Sequence, residues 1–348
     1  MKLDDRKLRI LQAIIHSYIT NAEPVGSRTI SKKYDLGVSS ATIRNEMSDL
    51  EELGYLIQPY TSAGRIPSDK AYRLYVDSLM EEKLISQKVR NQVRNQLLRE
   101  IGEIDSLIQN VAKILSQLTN YTSLAIAPQV KQSRLKHIQL VPVNQTKVLV
   151  VIVTDTNIIK NTIFRVDKEL SCDQLNKISN ILNEKIKGHR IYEIGEDLQV
   201  SLMNEMYDLR ETIKSTINSI VPLINQSLDK TEEVTLYADG VTNIFNFPEY
   251  NDVSKAKSFL SFLEDKNSVV DMMLKSGEHD IEITIGSENR YREVQNCSLI
   301  TATYRLNGKT IGRIGVIGPT RMDYSKVISA VKSIALDMNE ILNKYYIK

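Results

Sequence analysis

The sequence is poor in the residues and segments that mark several large classes of protein. Only two of its 348 residues are cysteines, Cys172 and Cys297, which give no disulfide framework and are typical of a reducing compartment. No apolar run is long enough to cross a membrane, and the charged N-terminus lacks the apolar core of a signal peptide. We therefore expect a cytoplasmic protein that does not contact a membrane, with each cysteine a free thiol packed in a core.

Residues for enzymatic or metal chemistry are also scarce. The four histidines are isolated, no His and Cys spacing matches a metal site, and neither a Walker-type nor a dinucleotide-binding glycine loop occurs. The sequence therefore predicts no catalytic residue, no cofactor and no metal. The formal net charge is only +2, and residues 1–75 hold eleven Lys and Arg against nine Asp and Glu, so any basic surface must come from the placement of charges.

The most informative segment, residues 27–67, has the pattern of two helices, a tight turn and a hairpin. Ser27 is expected to cap a helix over 28–34, and Gly37 provides the turn because glycine tolerates a left-handed backbone. A second helix is expected to begin at the hydroxyl caps of Val38-Ser39-Ser40 and to stop at Gly54. Its apolar residues recur at spacings of four, three and three and form one buried stripe: Ile43, Met47, Leu50 and Leu53.

A hairpin is expected directly after the second helix. Residues 55–58 look like a strand, 59–64 like a loop, and Arg65-Ile66 like the returning strand, which Pro67 ends. Two helices joined by a turn are common in ordinary helical bundles, but a helical bundle does not require a hairpin directly after the second helix. Together the elements predict a winged helix whose second helix enters the DNA major groove. The candidate DNA-contact residues are Ser27, Arg28, Ser39, Ser40, Thr42, Arg44, Asn45, Ser48 and Arg65.

Helical patterns flank this motif on both sides. Leu8, Leu11, Ile15 and Ile19 recur with the period of a helix that would pack beneath the turn. Beyond Pro67 the chain is predicted to form one long helix to about residue 118, with heptad-like apolar positions in its second half. A coiled-coil dimer and packing against the protein's own sheet both fit this pattern. We interpret the segment as a linker and cover helix.

From residue 121 the pattern changes to strands, interrupted by a helical block. Strands are predicted over 123–127, 135–142, 147–154 and 158–166, then again over 280–286, 298–305 and 309–317, followed by a helix over 324–345. The interruption suggests an insertion. Within it, an apolar stripe from Leu198 to Ile224 suits either a core or a contact with a second subunit. The group Glu288-Asn289-Arg290 fits either a pocket wall or a hydrogen-bonded turn.

Two specific motifs are Thr61-Ser62-Ala63-Gly64-Arg65-Ile66-Pro67 and Gly318-Pro319-Thr320-Arg321-Met322-Asp323-Tyr324. Both motifs closely resemble those of the bacterial heat-inducible transcription repressor family HrcA. The resemblance covers nearly the whole chain, because it also includes residues 37–47, 50–54, 72–76, 237–240, 247–249 and 285–289. The resemblance implies an α+β multidomain protein. Its parts would be a winged helix-turn-helix domain at 1–75, a linker helix at 76–120, a discontinuous GAF-like antiparallel sheet domain at 121–168 and 278–348, and an inserted α/β dimerisation domain at 169–277.

The resemblance also implies a function. We expect a homodimeric repressor of heat-shock (chaperone) operons that binds double-stranded DNA at an inverted-repeat operator, is released on heat stress, and is kept active by a chaperonin. The alternative is a metabolite-sensing winged-helix regulator whose GAF-like domain binds an effector. A nucleic-acid enzyme or a scaffold is disfavoured because the sequence offers no catalytic constellation.

Overall fold

The structure is a computed structural model that describes residues 3–61, 63–81, 83–99, 104–127, 134–155, 159–166, 169–189, 234–274 and 279–346. The chain divides into two compact units. The first comprises Met1–Ile126, Leu236–Tyr304 and Arg313–Met338, and the second comprises Ala127–Thr235, Arg305–Gly312 and Asn339–Lys348. The apolar stripe predicted between Leu198 and Ile224 lies outside the described residues. Among the described helices, none combines the length and apolar character that a membrane span requires.

The first unit begins with three helices and a short hairpin, which together we call the head. Its elements are α1 (Asp5–Asn21), α2 (Ser27–Lys33), α3 (Ser40–Glu52), β1 (Leu56–Ile57) and β2 (Ile66–Pro67). The strands pair antiparallel, and the winged-helix order predicted from the sequence is present. The buried side chains of the head include Ile10, Leu11, Ile14, Ile15, Ile30, Ile43, Met47 and Leu50. The predicted α1 stripe is only half right, because Leu8 and Ile19 are partly exposed while Ile10 and Ile14 are buried.

Two local details of the head differ from prediction. Ser27 is the first residue of α2 rather than its cap, because Gly26 takes the extended cap position and makes no side-chain cap bond. The returning strand ends at Pro67 as predicted, but it begins at Ile66 rather than at Arg65, and Pro67 is its last residue, paired with Leu56. Arg65 does not pair with β1. Its backbone N–H and C=O each form a 2.9 Å hydrogen bond with Val25, which brings the chain before α2 into the wing.

The single long helix predicted after Pro67 is wrong. The chain forms α4 (Asp69–Leu74), a π-helical turn (Tyr75–Leu79), an extended stretch, α5 (Gln87–Leu98) and α6 (Ile104–Thr119). The extended stretch is held by tertiary contacts that sequence periodicity does not reveal. The hydroxyls of Ser325 and Ser329 donate to the carbonyls of Glu81 and Lys83 at 2.7 and 2.5 Å. Ser86 then caps α5 by accepting from the backbone N–H of Val89.

A five-stranded sheet, most of whose residues belong to the first unit, has the spatial order β7-β3-β10-β9-β8. Its strands are β3 (Thr122–Ile126), β7 (Leu236–Asp239), β8 (Ile281–Ile285), β9 (Cys297–Leu306) and β10 (Lys309–Pro319). The accompanying helices are α8 (Val253–Glu264), α9 (Lys266–Leu274) and α10 (Tyr324–Tyr346). The apolar stripe of α6 is buried against β3 and β7, so of the two interpretations the cover helix is the one observed.

The second unit contains a separate three-stranded antiparallel sheet. Its elements are β4 (Leu135–Asn144), β5 (Lys147–Thr154), β6 (Ile159–Arg165) and α7 (Cys172–Ile186). Helix α7 packs on β4, where the Asn183 side chain accepts from the N–H of Ile138 at 2.8 Å and donates to its carbonyl at 2.7 Å.

The expectation that β4, β5 and β6 continue the sheet of β3 is therefore wrong. The chain leaves that sheet after Ile126 and rejoins it at Leu236, rather than at the predicted limits 169 and 277. Alternation along a strand shows which residues share a face, but it does not identify the neighbouring strand. The cysteine expectation is half right: Cys297 is buried, while Cys172 is exposed at the start of α7.

Candidate nucleic-acid interface

The N-terminal end of α3 is fixed by a hydroxyl cap. The Oγ of Ser39 accepts a hydrogen bond from the backbone N–H of Thr42 at 3.1 Å, and the Thr42 hydroxyl lies 3.0 Å from the same atom. Such a cap typically stabilises a helix by about 1 kcal/mol. The cap predicted at Ser39 is confirmed. The first turn of α3 holds no acidic residue, so its positive dipole end is open to an anion such as phosphate.

One face of α3 carries the exposed side chains that the sequence assigned to DNA. Arg44, Asn45 and Ser48 are all exposed. They share one side of the helix, because Ser48 follows Arg44 by four residues and Asn45 by three. Ser40 and Thr42 flank this face and are partly exposed. The structure therefore brings the polar candidates of α3 together at the front of a capped helix, with hydrogen-bonding groups suited to base edges and phosphates.

The other side of α3 is held to α1 by a buried lysine. Lys7 is only 8% exposed, and its Nζ lies 2.7 Å from a carboxylate oxygen of Glu46 and 3.0 Å from one of Asp49. The hydrogen bonds to these two carboxylates raise the pKa of Lys7 above its ordinary value. Lys7 thus neutralises acidic groups that would repel DNA and fixes the orientation of α3 on α1.

Arg65 is placed at the base of the wing, where it contacts the end of α3. Its Nε and Nη2 lie 2.8 and 2.7 Å from the same carboxylate oxygen of Glu51, and the side chain is 20% exposed. The preceding Gly64 approaches Val25 so closely that a Cβ would lie 2.5 Å from the Val25 carbonyl carbon. Arg65 therefore braces the wing against α3, a role that the sequence did not show. Its predicted contact with DNA stays a prediction.

Ser27 and Arg28 lie on a different element, the first turn of α2. Arg28 is exposed and Ser27 is partly exposed. They precede the turn at Gly37, whose backbone is left-handed with a φ of +65°, as predicted. These two candidates are thus accessible but are not part of the exposed face of α3.

A groove beside the turn reveals an exposed arginine that the sequence reasoning missed. The groove has a volume of about 790 Å³ and runs between the start of α1 and residues Leu36, Gly37 and Val38. Arg9 lines it and is exposed, next to the point where α3 begins. The basic cluster Arg6-Lys7-Leu8-Arg9 was the available signal, because such clusters on a head often contact phosphate.

The second candidate feature, Glu288-Asn289-Arg290, forms the hydrogen-bonded turn rather than a pocket wall. Asn289 is 3% exposed, and its Nδ2 donates to the carbonyls of Gly286, Val294 and Cys297 at 3.0, 3.1 and 2.8 Å. Three or more metal-ligating side chains do not cluster anywhere in the described part of the chain.

Comparison with known proteins identifies the family to which the chain belongs. Residues 105–328 match the family described as HrcA protein C-terminal domain. The chain is 50% identical over 348 residues to the heat-inducible transcription repressor HrcA of Alkaliphilus metalliredigens, covering 99% of this chain and 100% of the relative. It is 45% identical over 347 residues to the protein of that name from Ruminiclostridium cellulolyticum, covering 99% of each chain.

The fold is also similar to a solved crystal structure of a hypothetical protein at 2.2 Å resolution. The TM-score is 0.68 at 23% identity, and the match covers 99% of this chain and 100% of the other. The sequence identity to the named relatives lies well above what unrelated chains share. The chain belongs to the HrcA family of heat-inducible transcription repressors.

Proposed function

We propose that this protein is a sequence-specific transcription repressor that binds operator DNA through α3 of its head. The observation that carries the proposal is the exposed polar face of α3, which begins at a capped first turn without acidic residues. A helix presented in this way fits the major groove, where Arg reads guanine and Asn reads adenine through paired hydrogen bonds. The assignment to heat-shock (chaperone) operons is supported by the relatives, which are named heat-inducible transcription repressors.

Each candidate side chain has a place in this proposal. Arg44, Asn45 and Ser48 contact base edges because they project from the exposed face of α3. Phosphate contacts set the register of the protein on DNA without selecting a sequence. We assign them to the remaining candidates: Ser27, Arg28, Ser39, Ser40, Thr42, Arg65 and the newly found Arg9.

The operator is proposed to be an inverted repeat bound by a homodimer, because two identical heads related by two-fold symmetry match two half-sites. The five-stranded sheet would be the GAF-like domain, and the chain between Ile126 and Leu236 would carry the dimer contacts. The outer face of its three-stranded sheet supports this, since Val141, Ile159 and Ile163 are 39, 63 and 57% exposed. Exposed apolar groups clustered on one sheet face are typical of an interaction surface.

Release on heat stress and maintenance of activity by a chaperonin complete the proposed cycle. A protein whose net stability is only a few kcal/mol changes its folded fraction steeply with temperature. A chaperonin that refolds it would then raise the amount of active repressor, until other unfolded proteins compete for the chaperonin.

Fluorescence anisotropy on labelled duplexes tests the proposal. The protein is titrated, at one fixed salt concentration, onto an inverted-repeat duplex and onto the same duplex with one half-site scrambled. The proposal predicts strong preference for the intact repeat, and a gain in the active fraction when chaperonin and ATP are added after mild heating. Equal weak binding to both duplexes would refute sequence-specific dimeric recognition. A chaperonin without effect would refute only the last step.

A cleft in the first unit bears on the alternative function, a metabolite-sensing regulator, although five of its ten lining residues belong to the head and none lies on a strand of the five-stranded sheet, where the alternative places the effector. It has a volume of about 370 Å³ and is lined by His16, Tyr75, Lys83 and Asp323 among others. The His16 Nε2 lies 3.0 Å from the Tyr75 hydroxyl. Small-molecule pockets usually have volumes of about 300 to 1,000 Å³. A metabolite that raises the melting temperature and changes DNA affinity would support this alternative over a purely temperature-responsive repressor.

A further inference from the structure

We propose that two groups of side chains, the Arg73 cluster and the Arg321 cluster, are positioning groups that determine which half-site spacing the repressor accepts. The Arg73 cluster consists of Arg73, Asp69, Ile283, Ser287 and Glu288, and the Arg321 cluster of Arg321, Glu249 and Ile19. Each joins the helices around the DNA-reading head to the five-stranded sheet region of the same unit. The inference rests on the proposed function, because spacing has meaning only for a dimer on two half-sites.

The Arg73 cluster binds α4 to the free edge of the sheet. The guanidinium of Arg73 donates from Nε to Glu288 at 2.8 Å and also from Nη2 to the second oxygen of that carboxylate. Nη2 donates in addition to the carbonyl of Ile283 at 2.6 Å. Ile283 lies on β8, the last strand in the sheet order, and among the described strands one row of its backbone groups has no strand neighbour. Arg73 therefore binds a backbone carbonyl that is accessible to a side chain only on an edge strand.

Asp69 adds a second contact from the same helix. Its carboxylate accepts a 2.8 Å hydrogen bond from the backbone N–H of Ser287. The adjacent Gly286 has a left-handed φ of +54°, and a Cβ there would lie 2.2 Å from the Asp69 carboxylate. The turn after β8 is thus shaped to receive the first residue of α4, and Arg73 and Asp69 hold both ends of one helical turn.

The Arg321 cluster holds α1 at its C-terminal end. Arg321 is 7% exposed, pairs with both carboxylate oxygens of Glu249, and donates from Nη1 to the carbonyl of Ile19 at 3.0 Å. That carbonyl is one of the last four of α1, which have no partner within the helix. The guanidinium also lies over the ring of Phe247 at 5.5 Å, and Phe247 stacks on Tyr121 at 5.1 Å. A cation at a helix C-terminus is also favoured by the helix dipole.

The Arg73 cluster holds α4 and the Arg321 cluster holds α1, so the sheet region is attached to two different helices. Helix α4 follows β2 of the head directly and packs against both α1 and β2. One attachment would allow the head to pivot, whereas the attachment at α1 together with the attachment of α4 fixes both its position and its rotation. The fixed orientation reaches α3 because Lys7 ties α1 to Glu46. In a dimer, the separation of the two α3 helices sets the half-site spacing, which is about 34–36 Å or a multiple of it for helices that read the same side of DNA. The clusters therefore select spacing without contacting DNA.

A spacing series tests the proposal. Fluorescence anisotropy measures DNA binding by wild type, Glu288→Gln, Glu249→Gln and the double variant. The duplexes carry two half-sites that are moved apart or together in single base-pair steps, and one further duplex carries a single half-site. Asp77→Asn is the matched control. It removes a carboxylate 3.3 Å from Arg73, but within the same helical segment rather than from the sheet. Circular dichroism and sedimentation establish that each protein is folded and dimeric. If the double variant does not fold, the two single variants test the proposal on their own.

We expect wild type and Asp77→Asn to bind most tightly at the same half-site spacing, and their DNA affinity to fall by about tenfold or more at other spacings. In the Glu288→Gln and Glu249→Gln variants, the ratio of affinities between the best spacing and the other spacings should fall by about threefold or more, while the affinity for a single half-site stays unchanged. An unchanged spacing profile, or an equal loss on the single half-site, overturns the positioning role. Lack of any wild-type preference for the intact repeat refutes the proposed function instead, so the two failures are distinguishable.

Discussion

Lys7 of α1 and Glu46 of α3 form an ion pair between the two helices, with 2.7 Å between Nζ and the nearer carboxylate oxygen and side chains only 10 and 11% exposed. This contact lies on the side of α3 away from Arg44, Asn45 and Ser48. A charge removed from such a pair leaves its partner desolvated and unpaired. The pair thus couples the stability of the head to the orientation of the exposed face of α3, which we propose contacts DNA.

Replacing Lys7 with methionine should weaken DNA binding although Lys7 does not face DNA. Without the ammonium, Glu46 and Asp49 repel each other and α3 loses its fixed position on α1. The variant should lower both the melting temperature and the operator affinity, and Lys7→Met with Glu46→Gln should recover part of each. Lys32→Met, an exposed lysine on α2, is the control. Unchanged melting and binding in Lys7→Met would show that the pair is not needed.

Arg44→Ala tests whether the exposed face of α3 reads bases. If Arg44 contacts a base, the variant should lose about 1 to 3 kcal/mol of discrimination at one operator position. If it contacts only phosphate, binding should weaken equally on all sequences and the salt slope should fall by about one. Competition anisotropy over operator variants at several salt concentrations separates these results. A folded variant that binds as tightly and as selectively as wild type would exclude Arg44 from the interface.

Gly64→Ala should disturb the wing more than a comparable change at Gly37. A Cβ on Gly64 would lie 2.5 Å from backbone atoms of Val25, so the chain must shift at the point where Arg65 pairs with Val25. Gly37 has a left-handed backbone but open space around its Cβ position, and its substitution costs about 1 kcal/mol from strain alone. We expect Gly64→Ala to cost at least about 2 kcal/mol in chemical denaturation. Equal losses in the two variants would contradict the close-approach argument.

Glu288 should give the stability of the protein a measurable acid sensitivity. Burial acts to raise the pKa of Glu288, but hydrogen bonds from Arg73 and from the N–H of Ile285 outweigh it and lower the pKa below the ordinary 4.5. Since the unfolded chain binds this proton more readily, the contribution to stability is present above pH 4.5 and is lost as pH falls through the lower folded pKa.

Glu288→Gln lacks this titration. Its melting temperature should therefore fall less than that of wild type when pH drops from about 6 to about 3. Differential scanning fluorimetry across this range measures the difference, with the exposed Glu293→Gln as control. Parallel curves for wild type and Glu288→Gln would show that the pair with Arg73 does not affect stability.

The two thiols should differ in reactivity by orders of magnitude. Cys172 is exposed, whereas Cys297 is 1% exposed and its Sγ lies 3.0 Å from the Tyr250 hydroxyl. Burial raises the pKa of Cys297 to about 12, so little of its thiolate is present near neutral pH. Labelling with a disulfide reagent should modify one thiol rapidly and the second only on unfolding. Rapid reaction of both in the native protein, or in a Cys172→Ser variant, would contradict the buried position of Cys297.

The parts that were predictable from sequence are those encoded by neighbouring residues. The hydroxyl cap at Ser39, the left-handed turn at Gly37 and the buried residues Ile43, Met47 and Leu50 follow from spacing and from backbone preference. Leu53, the fourth residue of the predicted buried stripe, is partly exposed because it lies at the C-cap, beyond the end of α3. The cover role of α6 was one of two readings of its stripe, and only packing against β3 and β7 distinguished it from a coiled coil.

The parts that were not predictable depend on contacts between distant residues. Arg65 looked like a free cation on a wing, but Glu51 lies beside it in space and takes two of its donors. The predicted long helix ends because Ser325 and Ser329 hold the chain near residue 81 in extended form. The attachment of Arg73 to Glu288 spans most of the chain, and local patterns do not specify which opposite charge a guanidinium will meet.

The chain between Ile126 and Leu236 begins and ends at adjacent positions. Ile126 and Leu236 are paired in the β3–β7 ladder, and the N–H of Ala127 donates to the carbonyl of Thr235 at 2.9 Å. A segment whose ends already meet can be exchanged without changing the path of the surrounding strands. A tight Asn-Gly turn could therefore join β3 directly to β7, and the chain between them could be removed or replaced by another domain without moving the strands of the five-stranded sheet.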